Sequence, residues 1–177
     1  MSMDLSPHLY GIGLPGPRRE GPVEAMGFKA GNLARMAGTA NEVDVAVTGG
    51  DLFEIRPETA YTSADLNWRD KSSRSSVEMD DPTSRPAIID DLKNLAEYDT
   101  VYLGFPIWWN QAPRLINTFL EKYDLSGKTV IPFATSGSSS ISNAESELRK
   151  AYPDVNWQKG KLMNGATEGD IKNWTKK

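Results

Sequence analysis

The sequence has no cysteine. That excludes disulfides, thiol nucleophiles, zinc ribbons and iron–sulfur ligation. It has one histidine, His8, placed in a leader rich in proline and glycine. A single imidazole there reads as a solvated tail residue, so neither a Ser-His-Asp triad nor a His-based metal centre is expected, and with them no catalytic side chain and no metal ligand set. Long hydrophobic runs are also missing. None approaches the ~20 residues of a spanning helix, and the N-terminus lacks a signal-peptide core, so a cytoplasmic location is expected. Basic excess is absent: Lys and Arg number 20 against 24 Asp and Glu, for a net charge of -4. Nucleic acid and anionic membranes call for clustered cations and are excluded as main partners. A docked protein partner with a basic surface remains compatible.

What is present fits one domain of 177 residues, long enough for a full hydrophobic core. Residues 1–30 read as an irregular, disordered leader. Pro7, Pro15, Pro17 and Pro22 alternate there with glycines, and no period of 2 or 3.6 survives. Residues 31–177 read as the folded domain. Leu33, Met36, Ala37, Ala40, Val43 and Val47 suggest a first helix, although Val43, Val45 and Val47 also alternate as a strand would. Asp51–Ile55 reads as a short strand. Residues 58–86 are polar with no sustained period, and a loop of this length is usually functional or mobile. Pro86 to about Leu95 has helical spacing through Ile88, Ile89, Leu92 and Leu95. Thr100–Phe105 is a strand, and Pro113 opens a helix with Leu115, Ile116, Phe119, Leu120 and Tyr123 on one face. Thr129–Thr135 is a strand, about Asn143–Ala151 a helix, and Val155–Lys161 a short last strand. Thr167–Trp174 reads as a capped helix with Ile171 and Trp174 inward.

Strands alternating with helices at these spacings predict an α/β fold with a mostly parallel sheet. Such sheets bind ligands beyond the carboxyl ends of their strands. The loop after Phe105 and the loop after Thr135 would therefore lie on one edge and flank one ligand. The first offers the indole rings of Trp108 and Trp109, read as an exposed pair, and the amide of Asn110. The second offers Thr135, Ser136, Gly137, Ser138 and Ser139, with hydroxyls and free backbone N–H groups ahead of a helix. A stacking wall facing a hydrogen-bonding wall suits a planar heteroaromatic ligand. A flavin and a nucleobase both fit that description.

From Gly49 to the C-terminus the chain closely resembles the bacterial flavodoxin-like proteins. The resemblance is carried by Gly49–Ile55, Tyr61 with Asp65–Trp68, Arg85-Pro86, Gly104–Trp109, Ala112-Pro113-Arg114, and Gly127–Gly137 with the Ser/Gly run that follows. The Trp-Trp and Thr-Ser-Gly loops are its most specific parts. The resemblance implies a doubly wound parallel sheet of strand order 2-1-3-4-5, with FMN at the carboxyl ends of the strands. It implies that Pro106, Ile107, Trp108 and Trp109 form one ring-side loop, and that Thr135, Ser136, Gly137 and Ser138 form the other. It further implies an FMN-binding electron-transfer protein that works with a redox partner protein or an NAD(P)H-dependent reductase.

The family opens with a strand running into a hydroxyl-rich phosphate loop. Here the first strand is degenerate or missing. The nearest counterpart is Val23–Leu33, where Gly31 and Asn32 stand at the family's Gly-Asn and Phe28, Ala30 and Leu33 replace hydroxyl residues. Three readings stay open: a diverged loop that still holds phosphate through backbone N–H groups, a lost site, or a misread N-terminus. Two functional alternatives accompany the carrier. One is an FMN-dependent NAD(P)H reductase of quinones or other small acceptors, with Tyr61 and Trp68 near the ring. The other is a flavodoxin-like scaffold without FMN. Arg69, Lys71, Arg74 and Arg85 read either as a solvated face or as outside help for a phosphate.

Overall fold

Two strands buried on both faces carry the sheet. The computed structural model describes residues 11–14, 51–90, 92–93 and 95–175. Gly31, Asn32 and the helix expected from Leu33 lie outside the described residues. The elements are β1 (Gly11–Leu14), β2 (Asp51–Glu54), α1 (Arg74–Asp80), a 3-10 turn (Leu95–Glu97), β3 (Thr100–Pro106), α2 (Arg114–Lys122), β4 (Thr129–Thr135), α3 (Ser142–Ala151), β5 (Asn156–Trp157), β6 (Lys161–Leu162) and α4 (Glu168–Thr175).

The strand order is β2-β1-β3-β4-β5, and β6 also pairs with β4. β3, β4, β5 and β6 run parallel, as the alternation of strands and helices predicts. The order agrees with the expected doubly wound α/β sheet, but the central position is filled differently. Gly11–Leu14 occupies it and runs antiparallel to both neighbours. The slot between β2 and β3 presents backbone donors and acceptors on two sides, and these must be paired. A proline-free run such as Gly-Ile-Gly-Leu can pair on both sides at once, although its composition shows no strand period.

The two faces of the sheet are covered by different elements. Val101, Leu103 and Phe105 of β3 and Val130 and Ala134 of β4 share a core with Leu115, Ile116 and Phe119 of α2 and Ala144 and Leu148 of α3. Leu115, Ile116 and Phe119 are fully buried, each contributing about 1.5–3 kcal/mol of transfer free energy. On the opposite face Tyr102 and Phe133 pack with Met163 and Ile171, and Trp174 of α4 packs against them. Thr167 and Asp170 cap α4 reciprocally: each side chain accepts the other's backbone N–H, the capping box expected at Thr167.

Gly104 lies opposite Phe133 in the β3–β4 register. A Cβ there would sit 2.4 Å from the Phe133 ring, which is itself buried. Gly104→Ala is therefore expected to cost about 1–3 kcal/mol through overpacking, read as a lower urea midpoint with an unchanged m-value. The last strand is interrupted. Between the pairs Thr129–Asn156 and Phe133–Lys161 it has one residue more than β4, a bulge. Gly160 sits in it because a Cβ would lie 2.6 Å from the Pro132 carbonyl oxygen.

Besides the strand at Gly11–Leu14, found within the leader read as irregular, two further expectations fail. Residues 86–90 are not helical: the Ile89 N–H donates to the Arg56 carbonyl and the Glu58 N–H to the Ala87 carbonyl, which pairs Pro57 with Ile88. Ile88, Leu92 and Leu95 are buried as their spacing suggests, but from an extended and turned backbone. The segment 58–86, read as loop, contains α1. Its inward residues are Ser75, Ser76, Glu78 and Met79, with Ser73 as N-cap, so it has no apolar period to find. Among the described residues no helix is long and apolar enough to cross a membrane.

Candidate functional site

Pro106 and Thr135 are register partners at the ends of β3 and β4, so the loops that follow them leave one edge of the sheet. The Ile107 N–H donates to the Thr135 carbonyl at 2.8 Å, which fastens the first loop to the end of β4. Between the loops lies a cleft of about 210 Å³ lined by Trp68, Ile107, Trp108, Trp109, Asn110, Ser136 and Ser139. The expected residues Ile107, Trp108, Trp109, Asn110 and Ser136 thus meet in one cleft. Pro106, Thr135, Gly137 and Ser138 frame it without lining it. Gly31 and Asn32 lie outside the described residues. Trp68 and Ser139 complete the wall.

The first loop closes tightly. Trp108 and Gln111 exchange backbone hydrogen bonds, each 2.9 Å, around Trp109 and Asn110, whose φ angles are 43° and 64°. Positive φ at both central residues is the signature of a type I′ turn. Asn tolerates this region, but a bulky aromatic does not, and holding Trp109 there costs about 1–3 kcal/mol. Such strain persists only where the surroundings enforce it, and it concentrates at ligand-clamping sites.

The turn separates the two rings. Trp109 is 44% exposed, whereas Trp108 is 2% exposed. The expectation of a pair of exposed rings is corrected: adjacent residues entering so tight a turn point apart. Trp108 goes into the core and meets Tyr61 edge-on, with centroids 5.6 Å apart and planes at 85°.

The second loop is braced internally. The Ser136 hydroxyl oxygen accepts from the Ser138 N–H at 3.2 Å and the Ser139 N–H at 2.7 Å. Asn164, just beyond β6, accepts from the Ser136 N–H and donates to the Ser136 carbonyl. The backbone N–H groups expected to be free at Ser136, Ser138 and Ser139 are therefore used. The loop is pre-organised, and the Ser139 hydroxyl, without a hydrogen bond among the described residues, is free for a ligand. Asn143 of α3 ties the two walls together by donating its amide to the Asn110 carbonyl at 2.9 Å. Neither Asn143 nor Asn164 stands out in the sequence, since each acts on backbone 28 or more residues away.

Behind the cleft is a buried polar group. The Tyr61 hydroxyl donates to Glu78 at 2.5 Å. Arg74 donates to Glu78 at 2.7 Å and to the Thr59 carbonyl at 2.7 Å, with its guanidinium 3.9 Å above the Tyr61 ring. Burial, reinforced by the bond to Glu78, raises the Tyr61 pKa far above that of a free phenol. Tyr61 therefore supports Trp108 from behind and does not reach the cleft. Arg85 makes two bonds to Glu121, each 2.8 Å. Arg74 and Arg85 are thus engaged by protein partners. Arg69 lies 5.0 Å from the Trp68 ring centroid, the only cation of that segment stacked on a cleft residue among the described residues.

Residues 29–177 match the family model for Flavodoxin. A candidate flavoprotein from Bacteroides uniformis ATCC 8492 is 58% identical over 85% of this chain and 94% of its own, with a TM-score of 0.77. One from Bacteroides eggerthii DSM 20697 is 53% identical over 80% of this chain and 89% of its own, with a TM-score of 0.76. A flavoprotein from Lactobacillus acidophilus NCFM, solved in complex with FMN, is 17% identical over 80% of this chain and 91% of its own, with a TM-score of 0.61. That last likeness is one of fold. No curated protein matches the chain.

Proposed function

The chain belongs to the flavodoxin family, and on that premise we propose that it binds FMN noncovalently and carries electrons for a partner redox protein. The observation that carries this reading is Trp109, half-exposed and held at a φ of 43° beside a cleft whose other wall is the Ser136–Ser139 loop. A strained, solvent-facing indole loses stability unless a ring covers it.

The residues fit the group. At about 210 Å³ the cleft is smaller than the ~300–1,000 Å³ of a whole-ligand pocket, so it takes the ring end of FMN and leaves the phosphate end outside. Trp109 stacks on one face. Ser136, Ser139 and Asn110 meet the polar edge, and Trp68 closes the rim. Bound FMN would supply the redox chemistry, while the protein orients it and tunes its electronics. An electron-rich indole face disfavours negative charge on the ring it covers and so favours a low potential. Gly31 and Asn32 are proposed for the phosphate side, on their correspondence to the family's Gly-Asn.

Addition of FMN to the purified protein is expected to give a yellow complex with a perturbed flavin spectrum. A protein that stays colourless in excess FMN would favour the scaffold alternative. FMN binding more tightly than riboflavin would support a working phosphate side, and equal affinities would remove Gly31 and Asn32 from the site. The reductase reading gains weight from Trp68, which brings the segment 58–86 to the cleft as a second subsite requires. Anaerobic NADPH alone should leave a carrier's flavin oxidised; rapid bleaching would instead show a reductase.

A further inference from the structure

Arg114 is the first residue of α2 and is only 8% exposed. A cation at a helix N-terminus opposes the helix dipole, and burial adds a desolvation cost that a carboxylate normally offsets. Here no carboxylate pairs with it directly; Asp81 and, more weakly, Glu147 favour its charge only through space. Arg114 donates to the Met79 carbonyl at 2.9 Å, the Glu78 carbonyl at 3.4 Å and the Gln111 side-chain oxygen at 3.2 Å, and forms no ion pair among the described residues. Burial and then the nearby Arg85 lower its pKa, yet a guanidinium remains charged at neutral pH. An expensive group kept in this place is informative by what it connects.

Two of its bonds grip the end of α1, whose Glu78 holds Tyr61 and thereby backs Trp108. The third grips Gln111, the residue that closes the turn around Trp109 and Asn110. Arg114 therefore joins the buried support of one tryptophan to the turn that presents the other. We propose that Arg114 is the positioning residue of this turn, holding Trp109 over the cleft through Gln111. What Trp109 stacks upon rests on the flavin-binding reading above; the positioning itself does not.

The test uses Gln111→Ala, which cuts the link while leaving Arg114 its two backbone carbonyls, and Gln111→Glu, which keeps an acceptor facing the guanidinium. Without flavin, Gln111→Ala should change the near-UV circular dichroism in the presence of Trp109, and the change should vanish in a Trp109→Ala background. With flavin, it should weaken riboflavin and FMN equally, by roughly tenfold, the factor corresponding to one residue released from left-handed strain. Gln111→Glu should retain both signals, and Arg114→Lys, which lacks the planar fork, should behave like Gln111→Ala. The proposal is overturned if the dichroism change persists without Trp109, or if Gln111→Ala leaves both dichroism and riboflavin affinity unchanged. Failure of the wild-type protein to bind either flavin would overturn the functional reading alone, since the dichroism experiment needs no ligand.

Discussion

Trp108→Ala is expected to lower folding stability by about 3–5 kcal/mol, the usual cost of removing a buried large aromatic side chain. In a domain of this size that corresponds to a fall in Tm of roughly 6–20 °C. Trp108 is among the largest fully enclosed side chains. It is packed edge-on against Tyr61, which is itself fixed by Glu78. Loss of the indole leaves a cavity whose lining cannot collapse, because Tyr61 is tied to Glu78 and Glu78 to Arg74. Thermal unfolding followed by far-UV circular dichroism measures the effect. A fall of less than about 1 kcal/mol, typical of a surface substitution, would show that Trp108 is not a core residue.

Trp109→Ala should behave in the opposite way. Its ring is 44% exposed and supports little of the core, so stability should stay within about 1 kcal/mol of wild type. Alanine keeps the demand for positive φ, so the substitution isolates the ring from the strain. Flavin affinity should fall by about 5–150-fold, because stacking of a planar base on an aromatic side chain is worth about 1–3 kcal/mol. FMN and riboflavin should lose the same factor, since Trp109 acts on the ring and not on the phosphate. Fluorescence titration of each flavin measures this. With both results, the two neighbouring tryptophans would divide the work, one for the fold and one for the ligand.

That division was not legible in the sequence. Trp108-Trp109 announced a loop with costly aromatics, and the strand before it placed the loop at a carboxyl end. Only the turn's positive φ angles decide which ring enters the core. β3 and β4 were readable because strands buried on both faces show as continuous apolar runs. α2 was readable because Leu115, Ile116, Phe119 and Leu120 repeat at helical spacing. α1 was hidden because its inward face, Met79 apart, is serine and glutamate, satisfied by hydrogen bonds. The central strand was hidden because Gly11–Leu14 is defined by the neighbours it pairs with, and its own residues show no pattern. Arg114 was quoted only as part of a motif; the role proposed for it rests on Gln111 and on carbonyl partners at 78 and 79, the latter connected to it by no spacing rule.

On the proposed reading, the cleft between the Trp109 turn and the Ser136–Ser139 loop holds a flavin ring. A crystal structure of the protein grown with FMN tests it most directly. The ring is expected in this cleft, stacked on Trp109, with its polar edge toward Ser136 and Ser139 and its phosphate outside this wall. A ring bound elsewhere, or bound here with Trp109 turned away from it, would show that this cleft is not a flavin site built on Trp109.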